Sequence, residues 1–83
     1  MDIAFDAAKD AANVRKHGIS LARAADLVLL AYVVDDRFAE PRFRLYGLID
    51  GKAHCVAGTD RDGIVRVISV RRAHAKEMRR YAP

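Results

Sequence analysis

Two glycine-containing turns, placed ten residues apart, constrain this chain more than any other feature. Arg42-Phe43-Arg44-Leu45-Tyr46-Gly47-Leu48-Ile49 alternates in character and stops at Asp50-Gly51, a strong two-residue hairpin signal. A second strand-like run, Ala53 to Thr59, stops at Asp60-Arg61-Asp62-Gly63, and a third, Ile64 to Arg71, is rich in β-branched residues. Links this short leave no room for a crossover, so the three runs must form an antiparallel meander.

The flanks read as helices. Ile3-Ala4-Phe5 suits a short edge strand, and Asp6 an N-cap for an Ala-rich helix running to about His17. Gly18 then closes that helix, with apolar Ile19 behind it. Ser20 caps a second helix, Leu21 to about Leu30, whose distal Leu27-Val28-Leu29-Leu30 is apolar all round and so expected to be deeply buried. Val33 to Arg42 is acidic, breaks at Glu40-Pro41 and reads as a loop. A short basic helix follows the last strand. Helices before and after a meander predict one α+β domain over residues 1–83, with the helices on one sheet face and the other face open.

Composition narrows the function. With 52% hydrophobic and 31% charged residues the chain is globular, and 83 residues allow one modest core. The net charge of +4 is polarised: from Ile64 onward six Arg/Lys face a single acid, Glu77, while the rest is nearly balanced. A basic end suits a polyanionic partner, nucleic acid or an acidic protein, although a solvated helix face has the same composition. The lone Cys55 excludes an internal disulfide, fits a reducing compartment and, flanked by His54 and Val56, reads as a buried thiol. The apolar run Leu27 to Val34 falls short of the roughly 20 residues of a membrane helix, and Met1-Asp2-Ile3 lacks a basic leader. A cytoplasmic location with no membrane partner is therefore expected.

Asn13-x-x-Lys16-His17-Gly18-Ile19-Ser20, followed much later by Arg66-x-Ile68-Ser69-x-Arg71-Arg72-Ala73 with Glu77 and Tyr81, resembles the BrnT family. Asp6, Lys9 and Thr59-x-Arg61 extend the match over almost the whole chain. The resemblance implies a RelE-like fold and a ribonuclease toxin of a bacterial type II toxin–antitoxin system. It further implies a cognate BrnA-like ribbon-helix-helix antitoxin, which neutralises the toxin and carries it to operator DNA in autorepression. Two departures stand out: Leu21 where the family has Phe, and His74 where it commonly has Thr. Thr with Glu three residues on is a capping box, and His caps less well, which weakens the expected terminal helix.

Cleaving RNA without a metal requires a base near the 2′-OH, cations around the phosphate and an acid for the leaving oxygen. The resemblance implies that Arg61, Arg71 and Arg72 lie near substrate, with Lys16 and His17 brought in from the first helix, and Glu77 nearby. Strict alternation puts Val65, Val67, Ser69 and Arg71 on one strand face and Arg66, Ile68, Val70 and Arg72 on the other. Unless the strand ends between them, only one of Arg71 and Arg72 then shares the active face; which one stays open. Lys16 and His17 are also favoured at a helix C-terminus by the dipole alone. His54 reads as structural, and His74 as a helix-start residue facing substrate or solvent. Glu77 and Tyr81 share a helix face, Glu77 to accept a proton or pair with Arg66 or Arg71, and Tyr81 to stack on a base, donate its hydroxyl or pack the helix. Lys76, Arg79 and Arg80 form another face, for RNA phosphates or an antitoxin. Asp60-x-Asp62-Gly63 lacks the length and later glutamate of a calcium loop, so no metal or other cofactor is expected. The rival reading is a non-catalytic RelE-like module that binds RNA or antitoxin; direct DNA binding is disfavoured by the lack of helix-turn-helix spacing.

Overall fold

The computed structural model describes residues 1–83 and shows how far the turns dictate the architecture. Strands β3 (Arg42–Ile49), β4 (Lys52–Arg61) and β5 (Ile64–Arg72) form the expected antiparallel meander. Both hairpin turns carry left-handed residues, Asp50 and Gly51 in the first, Asp62 and Gly63 in the second. β1 (Ile3–Ala4) adds a parallel edge to β5. Helix α1 (Ala7–His17) starts where Asp6 accepts from the Lys9 N–H and ends at Gly18, whose φ of 73° only glycine adopts freely.

The expected helix from Leu21 to Leu30 is not formed. Ser20 does cap a helix, but only a 3₁₀ helix over Leu21–Asp26. The chain then extends into β2 (Val28–Asp35), antiparallel to β3, which also claims the first part of the expected loop. Val28, Tyr32, Val33 and Val34 are β-branched or aromatic, and β3 offers a free edge for them. Gly47 permits the approach, since a Cβ there would collide with the Val28 carbonyl. The expected burial fails with the helix. As the outer strand, β2 leaves Val28 61%, Leu29 54% and Leu30 53% exposed.

The sheet is therefore five-stranded and mixed, in the order β1-β5-β4-β3-β2. The 3₁₀ helix lays Leu21 and Ala24 on one face, closing a core with Phe43, Leu45, Ile49, Val56, Val67 and Val70. Helix α1 contributes one buried side chain, Asn13. Its Nδ2 donates to the Val70 and Ile19 carbonyls at 2.8 Å, and its Oδ1 accepts from the Val70 N–H at 3.2 Å. Because β1 covers β5 only at Val65 and Arg66, this amide takes the place of a partner strand at Val70.

The helices do not share one face. Helix α2 (Ala75–Tyr81) lies on the side of the sheet away from α1, where Tyr46 reaches Glu77 and Tyr81. Strict alternation along β5 fails too. A bulge at Ile68 lets Ala57 pair with Ser69 while Gly58 pairs with Val67. Val67 and Val70 consequently both enter the core, and every residue after the bulge changes sides. No helix is long and apolar enough to cross a membrane.

Candidate nucleic-acid interface

The bulge decides which arginine joins the basic face. Arg71 pairs across β4 with Cys55, and Cys55 with Tyr46, so the three side chains stand in a row on the α2 side. Arg72 falls on the α1 side, its Nε donating to the Ala53 carbonyl at 3.3 Å. On β3 the alternation that sends Phe43 and Leu45 into the core turns Arg42, Arg44 and Tyr46 to the α2 face.

Glu77 organises this face. Arg71 grips it with both prongs, Nη1 to Oε1 at 2.8 Å and Nη2 to Oε2 at 2.9 Å. Tyr46 donates its hydroxyl to Oε2 at 2.7 Å, and the His74 N–H donates to Oε1 at 3.0 Å. That last bond is the glutamate half of a capping box, and it starts α2 despite the poorer cap. The Arg71 fork, with the His74 N–H and the Tyr46 hydroxyl, holds the Glu77 carboxyl far below its ordinary range. Glu77 is therefore ionised and fully engaged at neutral pH. Burial, then the bond to Glu77, pushes the Tyr46 hydroxyl upward. Burial raises the Cys55 thiol as well, which fits the expected buried, unreactive cysteine.

Beside this anchored group stands a cation with no ion-pair partner. Arg44 donates from Nη1 to the Tyr46 hydroxyl at 3.0 Å and lies 5.4 Å from the centre of the Tyr81 ring, yet pairs with no carboxylate. The buried Nε atoms of Arg42 and Arg44 lack hydrogen-bond partners. Two hollows open on this side. One, of about 270 Å³, is lined by Arg44, His74, Lys76, Glu77, Arg80 and Tyr81. The other, of about 240 Å³, includes Arg42, Arg44, Arg71 and Phe38, with the Arg42 guanidinium 4.0 Å above the Phe38 ring. Unneutralised guanidinium groups beside aromatic faces can hold a phosphate bidentately and stack a base.

The expected site residues do not form one cluster. Arg71, Glu77, Lys76, Arg80 and Tyr81 come together, and Arg79 shares the same basic helix. His17 and Arg72 line a separate polar cleft of about 330 Å³ on the α1 side, with Lys52 and His54. His54 there is buried, its Nδ1 2.7 Å from the Lys52 carbonyl oxygen, as a structural histidine would be. Lys16 sits on the β5 edge near Ser69. Arg61 is 62% exposed at the far hairpin, 3.5 Å from Glu40. It stands six residues along β4 from Cys55, the partner of Arg71, roughly 20 Å at ~3.3 Å per residue. Arg44 and Tyr46 join the Glu77 group without belonging to the residues expected from the resemblance. The alternation Arg42-x-Arg44-x-Tyr46 is the signal that places two cations and a phenol on one face of β3.

A family model described as the ribonuclease toxin BrnT of type II toxin–antitoxin systems matches residues 5–77. The chain belongs to the BrnT family. Its fold is similar to the crystal structure of the Brucella abortus ribonuclease toxin BrnT, with a TM-score of 0.70 and 27% sequence identity. That likeness covers 89% of this chain and 97% of the Brucella BrnT chain. None of the curated proteins matches. The BrnT match takes in Lys16, His17, Arg61, Arg71, Arg72 and Glu77, while Arg79, Arg80 and Tyr81 lie beyond its end.

Proposed function

We propose that this BrnT-family chain is a metal-independent endoribonuclease toxin that cleaves RNA on the α2 face of its sheet, in the manner of RelE-like toxins. The observation that carries the reading is Arg44, a half-buried guanidinium without a carboxylate, next to an Arg71 fixed by Glu77. Arg44 and Arg71 would straddle the scissile phosphate and stabilise the charge that develops as the 2′-OH attacks phosphorus and the 5′-oxygen departs. His74, in the same hollow, is the side chain best placed to move a proton. Tyr81 offers a stacking face, and Lys76, Arg79 and Arg80 extend the phosphate track. Glu77 acts as a positioning residue. A ribbon-helix-helix antitoxin would neutralise the toxin by covering this face and would join it in repressing the operon.

A second location for the chemistry is favoured by the α1-side cleft, where His17, Lys52, His54 and Arg72 converge. Single variants separate the two. With EDTA present, Arg44→Ala should slow RNA cleavage by about 10²–10³, the scale for one preorganised donor, with melting near wild type. Arg72→Ala and the remote Arg61→Ala should each cost less than about tenfold and change stability by no more than roughly 0.5 kcal/mol. Full activity in Arg44→Ala together with a collapse in Arg72→Ala would move the site to the α1 side. RNA binding without any cleavage would instead support the non-catalytic module.

A further inference from the structure

β2 is the outer strand of the sheet, and one of its two edges has no partner. From Val28 to Val34 it carries no charge and no proline. Its apolar side chains project on both faces: Leu29, Tyr32 and Val34 on the core side, Val28 and Val33 on the α2 side. Exposure reaches 59% at Tyr32 and 67% at Val34. Edge strands are ordinarily protected by charges, proline or a covering element, and β2 has only the irregularity near Leu30. An edge of this kind is a template for strand addition.

We propose that β2 is the docking strand for the cognate antitoxin, which adds an extended, uncharged, apolar segment to the sheet beside Val28–Val34. The proposal rests on the toxin–antitoxin reading, because that reading supplies a protein partner. Charge argues against a second copy of this chain as the occupant. In antiparallel self-pairing with Val28 opposite Val34, Asp36 of each copy would meet Asp26 of the other. Sliding the register by two residues one way sets Asp35 and Asp36 against apolar Leu29 and Val28, and the other way demands that the 3₁₀ helix unwind. A foreign strand has no such conflict and can bring a cation to Asp36, which forms no ion pair here. Continuity supports the same occupant. β2 ends at Asp35, which is bonded to Arg37 on the rim of the basic hollow, so a segment leaving that end passes onto the RNA face.

The test is hydrogen exchange on the free chain and on its complex with the cognate antitoxin, together with Leu30→Lys and Val34→Lys. Residues 28–34 should gain at least about tenfold protection in the complex. The two variants, each melting near wild type and cleaving RNA normally, should bind antitoxin roughly 10- to 100-fold more weakly. A wild-type complex whose β2 amides exchange as fast as in the free chain would overturn the proposal and leave the toxin reading intact. So would antitoxin binding unchanged in both variants. A free chain that dimerises through a protected β2 would assign the edge to a second copy. Failure of wild-type chain to bind any antitoxin would sink both the proposal and the reading beneath it.

Discussion

Arg71 and Glu77 meet in a two-pronged ion pair, 2.8 and 2.9 Å, that ties the end of β5 to the first turn of α2 only six residues later. The pair is half-buried, with 28% of the Arg71 and 18% of the Glu77 side chain exposed, and Tyr46 and the His74 N–H complete it. It fixes the helix, the strand end and the basic face with one carboxylate.

Glu77→Gln keeps the shape but removes the charge. It should destabilise the fold by about 1–3 kcal/mol, the range for charged hydrogen bonds that are not fully exposed, and should free α2 preferentially. Thermal melting reports the first effect, and faster amide exchange confined to residues 75–81 the second. Loss of RNA cleavage larger than the loss of folded protein would show that Glu77 positions Arg71.

The same group sets the acid limb of stability. A carboxyl with a depressed folded value contributes stability that is present above its unfolded value and lost as pH falls through the folded one. For Glu77 the loss begins below about pH 4.5, its ordinary value, and Asp35, held down to about 2 by Arg37, adds to it below about pH 3.8. At the alkaline end Tyr46 and Cys55 are raised, so their contribution is complete below their ordinary values of 10.0 and 9.0 and is lost as pH rises above them. Denaturation midpoints across pH should fall at both ends. Glu77→Gln should flatten the acid limb, and Tyr46→Phe the alkaline one.

Asn13→Leu should be among the most damaging single changes on α1. It strips three hydrogen bonds from the 6% exposed Asn13 and leaves the Val70 N–H and carbonyl without partners. Orphaned buried groups cost about 1–3 kcal/mol each, so a loss of at least 2 kcal/mol in chemical denaturation is expected. A near-neutral result would mean that β1 or water replaces the amide.

In the proposed site Lys76, Arg79 and Arg80 would supply charge rather than chemistry. Replacing all three with Gln should weaken RNA binding and reduce the slope of log affinity against log salt by up to about 2, since each phosphate contact to a single strand is worth ~0.7. Titrations at several salt concentrations measure it. An unchanged slope would remove this helix face from the RNA path.

Local chemistry in the sequence determined a good part of this molecule. The turns at Asp50-Gly51 and Asp62-Gly63 force β3, β4 and β5 into a meander whatever surrounds them, because no other connection fits so few residues. Asp6 and Gly18 bound α1 by hydrogen-bond and backbone preferences that act within one turn. Spaced family residues such as Asn13, Lys16 and His17 made the toxin family legible before any geometry. Tertiary structure decided what depended on partners distant in sequence. Val28 to Val34 has the apolar content of a buried helix, and only the free β3 edge, with room above Gly47, draws it into an exposed strand. Arg71 and Arg72 are adjacent and chemically alike, and only the bulge at Ile68 sends one to Glu77 and the other to the opposite cleft. Alternation turns Arg44 to the α2 face, and only packing of the sheet leaves its guanidinium half-buried on Tyr46 with no ion-pair partner, the property on which the proposed site rests.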